Sequence, residues 1–157
     1  MNLTFRPSAL LLPLPLLFTL CTPVQASSAD DNNLPDAQTL TRLEAQAEQA
    51  KPREQCLLYT ELVHTMTEIA GKQMLNGDTD QASATLKKVA YYAQLIHLGL
   101  ARDTKRLKNA ELLMHHTTHR LSDYLRRASG EDQVTLQATL KQLNVVQDEI
   151  LTQVFNH

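Results

Sequence analysis

The chain has 157 residues, 15 basic and 17 acidic side chains, and a formal net charge of −2. This weakly acidic balance lacks the basic footprint of a nucleic-acid binder. With four glycines in the whole chain there is also no glycine-rich loop to cradle a phosphate.

Residues 1–26, MNLTFRPSALLLPLPLLFTLCTPVQA, read as a secretory signal peptide. Arg6 supplies the positive start and 9–20 the apolar run, while Val24 and Ala26 stand where an A-x-A-like cleavage site needs small side chains. The run is short for a bilayer span and contains Pro13 and Pro15. Leu20 before Cys21 is not the small residue that a lipoprotein signal requires. The expected mature chain starts at Ser27, is exported to the periplasm or secreted, and has no stable membrane insertion. It keeps Cys56 alone, which cannot close an internal disulfide. Residues 27–35, SSADDNNLP, are polar and read as a disordered lead-in, leaving 36–157 as a single helical domain.

No strand-like alternation follows, and past Pro52 there is no proline, so an all-α fold is expected. The first helix covers about 36–50, with Leu40, Leu43, Ala47 and Ala50 at helical spacing. Pro52 ends it and opens a second helix to about Leu75. NGDTDQ makes a corner, with Gly77 suited to a left-handed position and Asp78 and Gln81 spaced as a capping box. Apolar residues then hold one phase through Ala82, Leu86, Val89, Ala93, Ile96 and Leu100. The phase continues through Leu107, Ala110, Met114, Leu121, Tyr124 and Ala128. This predicts antiparallel helical hairpins sharing one long central helix, about 79–128, with a coiled-coil-like seam. Gly99 and Asp103 mark the weakest point; a break at 99–103 gives a compact four- to five-helix bundle instead. Gly130 closes the long element, and a last helix runs over 131–155.

Within 63–96, Ala70, Gly77, Ala82, Leu86 and Val89 fall where a tetratricopeptide hairpin has its small, turn and packing residues, and this stretch resembles that motif. Gln73 stands where the motif usually has tyrosine, and there is no second copy at the motif's period. The resemblance implies a helical corner and no solenoid. As a whole the chain resembles small exported all-helical bacterial proteins of unknown function, a likeness that implies no activity.

ELLMHHTTHRL, 111–121, places three histidines in five positions. With Met114 and Thr117 in the seam, His115, His116 and His119 face outward. Glu111, His115, His119 and Asp123 are spaced four apart, so neighbours in the row touch. His115 and His119 form a candidate pair for a zinc, copper or nickel ion, with Glu111 or Asp123 as a third ligand. The competing reading is a hydrated helix face with favourable i,i+4 pairs.

Tyr91, Leu95 and Leu98 form an apolar stripe facing away from the second helix, and Leu112 is a further outward apolar residue. The first helix is the nearest cover for the stripe, making a three-helix cluster. Otherwise it is a surface for another protomer or a client helix. Nothing points to catalysis: the serines lack a nucleophile-elbow context, and Cys56 has no histidine within a turn. The expectation is therefore a non-enzymatic interaction or scaffold protein binding itself or another protein, needing no cofactor. The alternative is a periplasmic metal-binding or metal-sensing protein using the surface histidines.

Overall fold

The computed structural model describes residues 37–101 and 103–156. The expected signal peptide and lead-in lie outside the described residues. Five α-helices are present among them: α1 (Ala37–Gln49), α2 (Pro52–Leu75), α3 (Thr79–Gly99), α4 (Leu107–Arg127) and α5 (Gly130–Phe155). The protein is an all-helical bundle, and no described helix is long and apolar enough to cross a membrane.

Of the two architectures that the sequence allows, the structure adopts the broken one. The 79–128 spine does not continue through its middle. Leu100 leaves α3 in an extended conformation and Arg106 enters α4 with a left-handed φ of 59°. The connection is pinned at both ends. The Ala101 N–H donates to Thr104 Oγ1 at 2.9 Å, and the Lys105 N–H donates to the Arg53 carbonyl at 2.7 Å, at the start of α2.

The reason for the break is written on α2. Its buried residues include the adjacent pairs Cys56–Leu57, Tyr59–Thr60, Leu62–Val63, Met66–Thr67 and Ala70–Gly71. Adjacent positions lie about 100° apart on a helix, so α2 buries two faces. A straight rod covers one of them, with α3. Reversal at 100–106 brings α4 onto the other.

The result is two antiparallel hairpins, α2–α3 and α4–α5, stacked with like helices side by side. α2 packs on α4 and α3 on α5, while α1 packs on α2. Both stacked pairs run parallel: His64 meets Thr117 and Glu68 meets Arg120 along one. Ala90 meets Gln142 and His97 meets Glu149 along the other. α3 and α4, consecutive in the chain, lie diagonally apart, and the 100–106 connection crosses the end of the bundle between them.

The second hairpin carries an echo of the first in its sequence. Ala-Thr-Leu-Lys occurs at 84–87 in α3 and again at 138–141 in α5. In that alignment the buried Ala82, Val89, Tyr92 and Ile96 correspond to the buried Leu136, Leu143, Val146 and Ile150.

A single core of Leu62, Met66, Leu86, Ile96, Met114, Leu121, Leu143 and Ile150 runs through both hairpins. Threonines sit within it at no polar cost, because each returns its hydroxyl to its own helix. Thr60, Thr67, Thr117 and Thr139 donate to the carbonyls of Cys56, Val63, Leu113 and Thr135. No buried side-chain nitrogen or oxygen among the described residues lacks a partner.

The α2–α3 corner places Gly77 at φ 84°, the left-handed position expected of it. The expected capping box does not form: Asp78 is the residue before α3, and its side chain makes no capping bond.

Candidate interaction surface

α3 buries Ala82, Leu86, Val89, Ala93 and Ile96, and the side opposite those positions carries Tyr91 and Leu98. They are 57% and 69% exposed. The expected cover does not reach them: α1 packs on α2, and its link to α3 is on another side, where the Tyr92 hydroxyl donates to Glu44 at 3.2 Å. Leu95 divides from its companions, half-buried and packed against the core. Leu112 is 56% exposed but belongs to α4, so it is not continuous with the other three.

α5 extends the α3 stripe, which sequence reasoning missed. Opposite its buried Leu136, Leu143 and Ile150 it exposes Val134 and Val145. Because α3 and α5 are neighbours, Tyr91, Leu98, Val134 and Val145 belong to one outer face of the bundle. The Ala-Thr-Leu-Lys repeat was the available signal: it aligns Tyr91 with Val145 as equivalent outward positions. Below Val145, a depression of about 440 Å³ runs between the ends of the two helices, lined by His97, Leu100, Asp148, Glu149 and Thr152.

The three histidines of α4 are exposed, on the outside of the bundle as their phase predicts. His115 and His116 stand edge to face with ring centroids 6.2 Å apart. The His115 Nδ1 lies 3.2 Å from Gln147 Nε2 on α5, and Asp123 pairs with Arg126. Glu111 is half-buried and His119 exposed. Among the described residues no group of three or more His, Cys, Asp or Glu is arranged as a metal ion would need.

The densest polar cluster lies elsewhere, at the α2–α4 seam. The Arg120 guanidinium donates to both oxygens of Glu68, at 2.8 and 3.0 Å, and also to the Tyr124 hydroxyl at 3.0 Å. The Tyr124 hydroxyl in turn donates to Glu68 at 3.0 Å. These bonds, Arg120's first, hold the Glu68 carboxyl below its usual range. Beneath them the Tyr124 ring lies flush on Gly71, in space that any side chain at 71 would occupy.

His64, one turn before Glu68 on α2, is turned inward. It is half-buried against α4, its Nδ1 3.0 Å from Thr117 Oγ1. Burial lowers its pKa from the ordinary 6.5; Glu68 opposes that effect, while His116 and Arg120 reinforce it. Burial also lifts the Cys56 thiol to about 11, which keeps it protonated at neutral pH.

No family model matches this chain, and neither the curated proteins nor the solved structures contain a match.

Proposed function

We propose that this protein is an exported, non-enzymatic interaction module that engages another protein through the outer face of α3 and α5. The observation that carries this reading is four large apolar side chains, Tyr91, Leu98, Val134 and Val145, exposed on the outer side of two adjacent helices, whereas the other strongly exposed apolar residues, Leu75, Leu112 and Phe155, stand singly or at helix ends. Isolated surface apolar residues are ordinary, but a shared face of them is a feature of contact sites. The protonated thiol and the fully partnered interior give no support to a catalytic role.

The test is site-specific photo-crosslinking in the native cells, with the photoreactive residue placed at Leu98 or Val145 and, as a control, at Lys108 on α4. The reading predicts a discrete adduct from the first two positions and none from the third. Equal labelling at all three positions, or none at any, contradicts it. Light scattering on the purified chain then separates self-association from a different partner.

A further inference from the structure

The proposed contact face has a charge pattern that points to the chemistry of its partner, and the inference rests on that reading. Lys87 and Lys141 close the two Ala-Thr-Leu-Lys segments, and each stands one helical turn before an exposed apolar residue, Tyr91 and Val145. The same lysine-then-apolar pair is thus presented twice, on neighbouring parallel helices. The Gln142 side chain donates to the Ala90 carbonyl at 2.8 Å, which fixes the register between them. That register sets Lys141 within a turn of Lys87, and Val145 within a turn of Tyr91. Lys88 adds a third ammonium at the α1 side of the face.

All three lysines are exposed, and none forms an ion pair among the described residues. Three other cations of the bundle are engaged, Arg120 with Glu68, Arg126 with Asp123 and Lys105 with Glu54. Acidic groups sit at the opposite end of the face, where Asp148 is exposed and Glu149 is bound to His97. Exposed carboxylates also stand at the starts of the two helices, Asp80 on α3 and Glu131 on α5, so the lysines flank the apolar centre with acidic groups beyond them at both ends.

We infer that the outer face of α3 and α5 binds an amphipathic helical segment of a partner protein. The partner's apolar stripe covers Tyr91, Leu98 and Val145, and its carboxylates meet Lys87, Lys88 and Lys141. A partner helix can satisfy both ends because its own charges can be distributed along its length. An anionic membrane surface presents one sign throughout and would meet Asp148 and Glu149 as well as the lysines, which argues against it. Exposed charges at the rim set on-rate and salt dependence, while the apolar centre holds the complex.

The experiment uses the full mature chain and two synthetic 18-residue amphipathic peptides, fluorescently labelled and read by anisotropy. Both carry a leucine stripe; one has glutamates flanking its first half, the other lysines at the same positions. The glutamate peptide is expected to bind at least ten-fold more tightly than the lysine peptide, and to weaken as salt rises. Lys87→Glu with Lys141→Glu, a change on exposed positions, should reverse that preference while leaving the circular dichroism spectrum unaltered. Tyr91→Ser with Val145→Ser should weaken both peptides.

If both peptides bind equally and both are lost on Tyr91→Ser with Val145→Ser, the charge inference falls and the interaction reading stands. If neither binds, or if only vesicles containing anionic phospholipid bind, the inference is overturned.

Discussion

The two hairpins are joined by two seams of different construction. Along α2 and α4 the contact is close and interlocked: Tyr124 lies on Gly71, its hydroxyl shared with Glu68 and Arg120, and His64 is turned inward to Thr117. Along α3 and α5 the polar links are peripheral. His97 reaches Glu149 at 2.8 Å where half of its side chain meets solvent, and Gln142 bonds a backbone carbonyl. One seam therefore carries specificity of packing. The other closes the core beneath a face that remains open to solvent. The proposed function puts stability and interaction on opposite sides of the same bundle, and mutations should separate them.

The largest effect is expected at Gly71. Gly71→Ala drives a methyl group into the Tyr124 ring, which is pinned by its hydroxyl and cannot swing away. Overpacking of this kind costs about 1–3 kcal/mol, and chemical denaturation should show it as a lowered midpoint. Tyr124→Phe keeps the ring but removes the hydroxyl from Glu68 and Arg120, at a cost of about 1 kcal/mol. A loss at Tyr124→Phe exceeding that at Gly71→Ala would reverse the proposed division between packing and polar bonds within this seam.

The same seam sets the response to acid. His64 has a folded pKa below its ordinary 6.5, so the unfolded chain takes up its proton first. Its contribution is complete above 6.5 and is lost as pH falls below that value. Glu68 is also depressed, from an ordinary 4.5, and its contribution is lost at lower pH still, as its carboxylate is protonated in the fold. Unfolding free energy measured from pH 7.5 to 5 should decline in the wild type, and more shallowly in His64→Gln. A His64→Gln curve of unchanged slope would remove His64 as the source.

On the α3–α5 side the effects shrink. Glu149→Gln weakens an exposed ion pair and should shift stability by a few tenths of a kcal/mol. Tyr91→Lys with Leu98→Lys changes only exposed positions and should stay within about 0.5 kcal/mol of wild type per site, while abolishing crosslinking from Val145. If that double variant unfolds instead, the stripe supports the fold and the contrast between the seams fails.

Much of this was legible in residues, and the exceptions have physical causes. Helix periodicity gave the helical stretches, with α3 and α4 read as one, and the core positions, because burial on one face leaves a 3.6-residue trace in sequence. It also placed His115, His116 and His119 outside. Continuity across 100–106 misled, since a shared phase on α3 and α4 records that both face one core. It does not record whether they face it from the same rod. The stronger clue to reversal was α2, whose adjacent apolar and small residues need two neighbours. Val134 and Val145 were missed because their meaning depends on α5 lying beside α3, a long-range fact. The inward contact of His64 is likewise a long-range fact: its partner is fifty-three positions away.

The stacking of α4 on α2 underlies every assignment made above, and nuclear magnetic resonance reports on it directly. Nuclear Overhauser contacts should connect the Tyr124 ring protons with the Gly71 α-protons, and the ring current should displace those α-proton shifts. An unbroken 79–128 helix would hold these residues apart at opposite ends of a rod. A well-resolved Tyr124 spin system with no contact to Gly71 would contradict the fold described here.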